Sequence, residues 1–480
     1  MFRDAEGFLE EWLQAPNRKP LLIRGARQVG KTFLVRAFAG KHSKKIIEIN
    51  FERNPAHASL FNSNDPHQIL KWLEASFNGA IDVSASVLFL DEIQVAPELL
   101  AKLRWFAEEL PELPVLAAGS LLEFALAEHR FSMPVGRVQY LYLEPLSFSE
   151  FLQVRNPQLK EWLETLQVPF QAGSPEALLH AMPEPMHQML SQFIKEYVIV
   201  GGMPAAVSAW VKSARMESVH QVHQDLLATY REDFSKYQGR LNVQYLDQVL
   251  QSIPRQLGRK FVLGHVDRDV SNAPLKTALE RLIMARLAFP ATASHANGVP
   301  IGAEVQVQFR KIFFLDVGLC NALLGLRVSA LQSIEDLNLI HQGAVSEQLA
   351  AQLLRRLFPF FQPPAVYYWI RNEGSSAAEV DFVIEQAMQV IPIEVKSGST
   401  GSLKSLHQFM RLKASPLAIR LYSGGLQLTR VKVLVPPDQT VVDYWLLSVP
   451  FYGAHRLETW ITQVLEFINE QGETKYLQKD

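Results

Sequence analysis

A single cysteine, Cys320, serves the whole 480-residue chain, so it can build neither an internal disulfide nor a cysteine-based zinc site. Such economy is usual in a reducing cytoplasm. Excess charge of either sign is also missing: 47 Lys and Arg against 49 Asp and Glu leave a formal net charge of −2. No global basic field therefore advertises nucleic acid, and any such partner must meet a local patch. No run approaches the ~20 apolar residues that span a bilayer. The opening MFRDAEGFLEEWLQ is acidic where a signal peptide needs a basic start and then an apolar segment. Internal repeats and low-complexity linkers are absent as well. The expectation is a soluble cytoplasmic protein with no membrane partner, holding two to four domains at roughly 100–200 residues each.

What is present starts at Pro20. Residues 20–24 form a short apolar run, followed by a glycine-rich turn and an apolar-periodic stretch from Lys31 to Phe38: strand, loop, helix. Further strands fit Lys45–Asn50, Ser86–Leu90, Pro114–Ala118 and Val138–Tyr142, and a helix fits Pro97–Leu110. Strands that are continuous apolar runs alternating with helices predict a parallel sheet covered on both faces. From about Phe148 to Tyr237 the pattern is helical, with VIVGGMP (198–204) marking a turn between helices. A helix over Gln244–Leu257 is followed by a second that Ser271, Asn272 and Pro274 start and that runs to Arg286. An alternating stretch from Ala288 to Phe309, broken at Asn297 and Gly298, completes the order expected of a winged helix. The last third holds a helix over Gly343–Leu357 and strands over Val366–Ile370, Glu379–Ile384 and Val390–Lys396.

Gly25-Ala26-Arg27-Gln28-Val29-Gly30-Lys31-Thr32 satisfies G-x-x-x-x-G-K-[ST] in full, between a predicted strand and a predicted helix. The glycines let successive backbone N–H groups face phosphates at the positive end of the following helix. Lys31 would reach the β- and γ-phosphates of ATP and the Thr32 hydroxyl would ligate Mg²⁺. Phe33, the next residue, is counted with the ATP-binding set. Val87–Leu90 forms a buried strand that delivers Asp91 and Glu92 at its C-terminal end, where ligands bind in open α/β sheets. Asp91 would hold Mg²⁺, and Glu92 would orient the attacking water; an ordinary surface Asp-Glu pair after a strand would look the same alone. Ser120 ends the next strand, where it would sense the γ-phosphate or simply cap the following helix. Arg137 is a candidate arginine finger, in cis or in trans, or an ordinary surface arginine. Arg27 inside the loop is either a phosphate neighbour or solvated.

A second constellation stands near the C-terminus. Side chains alternate along a strand, so Glu394 and Lys396 share a face, and Asp381 faces away from Phe382 and Ile384. If the two strands pair through the 386–389 turn, these three polar residues converge, with Glu347 on the preceding helix as a third oxygen donor. Two carboxylates and a lysine can hold a divalent cation and orient a water against a phosphodiester. An amphipathic hairpin with a solvated face would show the same alternation.

With GARQVGKT, VLFLDEIQ, VLAAGSLL, PVGRVQYLYLEPLSFSEF and YVIVGGMP in this order, the chain resembles a family of prokaryotic AAA-superfamily ATPases whose ATPase module precedes a C-terminal domain of unknown function. The resemblance continues through RKIFFLDVGL, GAVSEQLAAQLL, EVDFVI and IPIEVKSG, so it spans nearly the whole length; residues 156–190 lie outside it. It implies ATP binding and hydrolysis. It also implies a C-terminal winged helix followed by a restriction-endonuclease-like α/β fold, in which Asp381, Glu394, Lys396 and Glu347 match the metal-binding signature. The expected layout is a P-loop ATPase domain over 1–150, a helical lid or insert over 151–237, a winged-helix-like domain over 238–330 and a restriction-endonuclease-like domain over 331–480. DNA is the expected partner besides ATP, through Lys276, Arg281 and Arg286 with Arg255, Arg259, Lys260 and Arg268 upstream. The alternative is a nucleotide switch or remodeller, monomeric or homo-oligomeric, whose nuclease-like domain binds without cutting.

Overall fold

In the computed structural model, residues 1–120, 122–128, 136–167, 183–236, 242–326, 342–371, 378–398 and 401–470 are described. The N-terminal apolar runs form β1 (Leu21–Arg24), β2 (Lys45–Asn50), β3 (Ser86–Asp91), β4 (Val115–Gly119) and β5 (Gln139–Tyr142). They lie in the order β2-β3-β4-β1-β5, and every pairing is parallel. β3 and β4 are buried at every position, which is why each reads as an unbroken apolar run. Alternate residues feed separate cores: Leu22, Leu88 and Ala117 join one cluster, Ile23, Phe89 and Ala118 the other. Because β4 separates β1 from β3, the loop after β1 and the carboxylates after β3 flank the end of β4 at one edge of the sheet. A helix absent from the sequence reading, Pro66–Phe77, starts where the Asp65 carboxylate accepts from the His67 N–H and Pro66 takes the first turn.

The second sheet has eight strands: β6 (Ala288–Ser294), β7 (Val305–Phe314), β8 (Val366–Arg371), β9 (Ala378–Gln386), β10 (Gln389–Val395), β11 (Leu417–Tyr422), β12 (Gln427–Val435) and β13 (Thr440–Pro450). Their order is β12-β13-β11-β10-β9-β8-β6-β7. The helix, helix, hairpin order of a winged helix is present in Val243–Arg255, Asn272–Met284 and β6–β7. Its hairpin, however, is not a free wing. β6 pairs in parallel with β8, so the backbone edge a wing would expose is consumed by the C-terminal sheet. The border expected after residue 150 falls within the helix Phe148–Arg155, started by a capping box of Ser147 and Glu150. The later borders, after 237 and 330, lie outside the described residues, as does part of the 156–190 segment. One apolar cluster runs from Leu9 and Ile23 through Tyr197 to Ile393 and Trp460, so both sheets pack on a shared core.

Candidate functional site

The loop after β1 is shaped by its glycines. A Cβ on Gly25 would collide with the Leu143 carbonyl oxygen of the chain leaving β5. Gly30, at φ 95°, precedes the helix Lys31–Lys41 in the left-handed region that only glycine enters freely. Lys31 is buried, and its Nζ donates to the carbonyl oxygens of Gly25 and Ala26 at 3.0 and 2.9 Å. Burial pushes this ammonium down to about 8, against the attraction of Glu92 and Asp91. Beneath the loop, Arg3 donates from Nη1 to Val29 O at 2.7 Å, from Nη2 to Glu144 O at 2.6 Å and from Nε to Glu150 Oε1 at 3.1 Å. Arg27 is paired rather than only solvated: its Nη1 donates to Asp233 at 3.1 Å, tying the loop to the helix Met216–Asp233. Phe33 lies half exposed on the first turn.

The register Asn50↔Asp91 brings the end of β2 to the end of β3. Both Thr32 Oγ1 and Asn50 Nδ2 donate to Asp91 Oδ2 at 3.1 Å, so the two expected Mg²⁺ ligands meet. Burial, then the neighbouring Glu92, raises the Asp91 carboxyl above its usual range. Glu92 sits at φ 52°, a left-handed conformation costly for a glutamate, and its Oε2 accepts from Gln94 Nε2 at 2.6 Å. Ser120 stands two residues beyond the Asp91↔Ala118 register pair. Its hydroxyl and Gln94 Oε1 are buried with no hydrogen-bond partner among the described residues. Orphaned polar atoms at this edge of the sheet suit a polar ligand that the protein alone does not supply. A hydroxyl, a carboxylate and a buried ammonium around a loop of backbone donors fit a magnesium nucleotide.

Arg137 lies elsewhere. Gln139 pairs with Leu21, the first residue of β1, so Arg137 stands at the opposite edge of the sheet from the loop. Six residue positions separate its level from Gly25, roughly 20 Å at ~3.3 Å per residue. There it pairs with Glu108 at 2.6 Å and is 49% exposed. A finger role in cis is thereby excluded. The cations that do approach the loop are others. Arg24 ends β1 and pairs with Glu123 at 3.2 Å. Arg286 arrives from the turn before β6, pairs with Glu123 at 3.1 Å, and its charge helps depress Lys31. Arg281 and Arg286 are expected as DNA contacts, but Arg286 faces the N-terminal sheet instead, with its guanidinium 4.8 Å from the Tyr142 ring centre.

In the second sheet, β9 and β10 pair antiparallel with Phe382 opposite Ile393, which sets Asp381 across from Glu394. Asp381 Oδ2 accepts from the Val395 N–H at 2.8 Å, and Lys396 Nζ lies 2.7 Å from Glu394 Oε1. The helix Gln342–Arg355 brings Glu347 to the same place. All four expected residues therefore lie together, and two of them, Glu347 and Asp381, also face a fifth that spacing could not reveal. Lys311 on β7 lies 2.9 Å from Glu347, 2.6 Å from Glu379 and 3.8 Å from Asp381. Burial alone would depress its ammonium, yet Glu347, Asp381 and Glu379 together raise it. Burial lifts both Glu347 and Glu394 to about 7. Among the described residues, no three His, Cys, Asp or Glu side chains are disposed to hold a metal ion.

Three family models match successive parts of the chain: one described as an AAA domain over residues 17–152, a domain of unknown function (DUF8612) over 191–330, and a domain of unknown function (DUF4143) over 342–437. No curated protein matches the chain. Among solved structures it is similar to the Aeropyrum pernix ORC1 protein in complex with DNA, at 15% identity over 67% of this chain and 90% of that one, with a TM-score of 0.25. It is also similar to the Thermotoga maritima RuvB Holliday junction branch migration motor, at 14% identity over 58% and 85%, with a TM-score of 0.25. C. elegans PCH-2 matches at 14% identity over 45% and 64%, with a TM-score of 0.26. Likeness at this level says nothing about activity. The chain thus carries an AAA-type ATPase domain at its N-terminal end, joined to a C-terminal DUF4143 domain.

Proposed function

We propose that this protein binds Mg²⁺-ATP on the loop Gly25–Thr32, hydrolyses it, and passes the nucleotide state to its C-terminal sheet. The observation that carries the reading is the Thr32–Asp91 pair at 3.1 Å beside a buried Lys31. Backbone N–H groups of the loop would face the phosphates at the positive helix end. Lys31 would exchange its two carbonyl partners for β- and γ-phosphate oxygens, a stronger bond for a desolvated ammonium. Thr32 and Asp91 would hold Mg²⁺, which when bound supplies charge neutralisation across those phosphates. Glu92, released from Gln94, would orient the attacking water, and Ser120 would donate to the γ-phosphate. Phe33, half exposed, offers a face beside the nucleotide.

Transmission would follow buried contacts. Val29 O is held by Arg3, Arg3 by Glu150, and Glu150 lies 3.5 Å from Arg356 Nη2. Arg355, ending the helix that carries Glu347, pairs with Glu144 at 2.6 Å. DNA is the partner this reading favours. Arg255, Arg259, Lys260, Arg268 and Lys276 are exposed on and between the helices Val243–Arg255 and Asn272–Met284, a local basic patch on a nearly neutral chain. No described helix is long and apolar enough to cross a membrane, and the cytoplasm supplies the ATP that the site needs. Fluorescent-nucleotide binding and phosphate release test the root of the proposal. Lys31→Ala should lose both, and an unchanged variant would end it.

A further inference from the structure

We infer that the ammonium of Lys311 stands where a nuclease of the expected fold would keep its divalent cation, so that the C-terminal carboxylates form a lysine-centred ion cluster and not a metal site. Lys311 is 1% exposed, and its ammonium lies within hydrogen-bond distance of Glu347 at 2.9 Å and Glu379 at 2.6 Å, with Asp381 a looser ion-pair partner at 3.8 Å. Glu347 and Asp381 are two of the carboxylates, with Glu394 the third, on which a metal would depend. Magnesium demands oxygens at ~2.0–2.1 Å in octahedral array, and a cation of that charge beside a fixed ammonium would meet repulsion in a site of low dielectric.

Two further oxygens are committed: Asp381 Oδ2 accepts from the Val395 N–H, and Glu394 Oε1 is taken by Lys396, while the buried Glu394 Oε2 has no partner among the described residues. Nor is Lys311 a surface side chain that could swing aside. Its backbone pairs with Ala291 in the β6–β7 ladder, and its Nζ lies 5.2 Å from the centre of the Tyr368 ring. The same strand pairing that turns the winged-helix hairpin into a sheet edge delivers the lysine. Residues and metal therefore do not fit, and no hydrolytic step is derived for this domain. What the cluster does is bind three elements, β7, β9 and the helix Gln342–Arg355, through one buried charge.

The test uses the full-length protein without nucleotide, so its outcome is independent of the ATPase reading. Mn²⁺ is titrated and the free ion is followed by electron paramagnetic resonance, with thermal unfolding measured in parallel. Wild type and Asp381→Asn should bind Mn²⁺ identically, and the wild-type Tm should show no Mn²⁺ response that depends on Asp381. Lys311→Ala should lower Tm, gain one Mn²⁺ site per chain and recover Tm as that site fills; adding Asp381→Asn should remove the new site. Glu347→Gln serves the same comparison if Asp381→Asn does not fold, and the wild-type comparison stands if Lys311→Ala does not. A wild-type Mn²⁺ site lost in Asp381→Asn or Glu347→Gln overturns the inference. So does a folded Lys311→Ala that gains no site.

Discussion

Lys31 and Lys311 are both buried ammonium groups, and their surroundings drive them in opposite directions. Lys31 has two carbonyl oxygens for company, so burial dominates and its pKa falls to about 8. Lys311 has three carboxylates, which outweigh burial and hold it charged. The first is primed to take a better anion; the second already has its anions. Glu92→Gln should keep ATP affinity within about twofold while slowing hydrolysis by at least ~10²-fold, the usual worth of a positioned base; single-turnover phosphate release separates the two. Arg3 is the residue whose loss should hurt folding most. Arg3→Met would strip a bond from Val29 O and leave Glu150 less compensated at 0% exposure, a loss of about 3 kcal/mol by denaturant titration. The phosphate loop was legible because its chemistry is written in eight consecutive residues. Arg3, Asn50 and Lys311 were not, because each meets its partner across 26 or more positions of chain.

Elements tie the molecule together where their ends meet. The helix Pro157–Thr165 carries Glu164, which pairs with His455 at 3.3 Å and Arg456 at 3.1 Å beside the helix Leu457–Glu470. The nearby His455 imidazole, first among several causes, holds the Glu164 carboxyl down to about 2 from an ordinary 4.5. A depressed carboxylate stabilises the fold above its unfolded value. Its contribution should be complete above about pH 4.5 and lost as pH falls towards 2. Because Glu164 is a third exposed, the expected worth is only ~1 kcal/mol. Comparing wild type with Glu164→Gln by urea unfolding at pH 7 and pH 3 should show the difference shrinking at the lower pH; an equal difference at both would refute the assignment. The element types near the P-loop were readable because apolar runs and caps are local signals. The hairpin β6–β7 was read correctly as a pair of strands and placed in the wrong company. Pairing of β6 with β8, seventy-odd positions on in the chain, has no local mark.

At the scale of the molecule, the arrangement of the sheets decides what each arginine can reach. Arg137 sits at the edge of the N-terminal sheet away from the Gly25–Thr32 loop, so Arg137→Ala in dilute monomer should leave ATP turnover within about twofold, having no transition-state contact to lose. A large defect in an assembled form, rescued by mixing with subunits that carry an intact Arg137, would place it in trans. Arg355→Met should act differently. It breaks the buried contact with Glu144 that joins the helix bearing Glu347 to the chain leaving β5, and it should lower Tm without changing ATP affinity at matched temperature. Short-range spacing and strand alternation were enough to mark the Gly25–Thr32 loop, the Asp91 and Glu92 pair and the parallel N-terminal sheet, and to bring Asp381 to Glu394 once β9 and β10 pair. Only the tertiary structure decided that Arg137 faces away, that Arg286 turns towards the loop and that Lys311 fills the C-terminal cluster. Those outcomes depend on which strands become neighbours, and pairing between distant segments is set by the packing of whole sheets rather than by any residue's immediate surroundings.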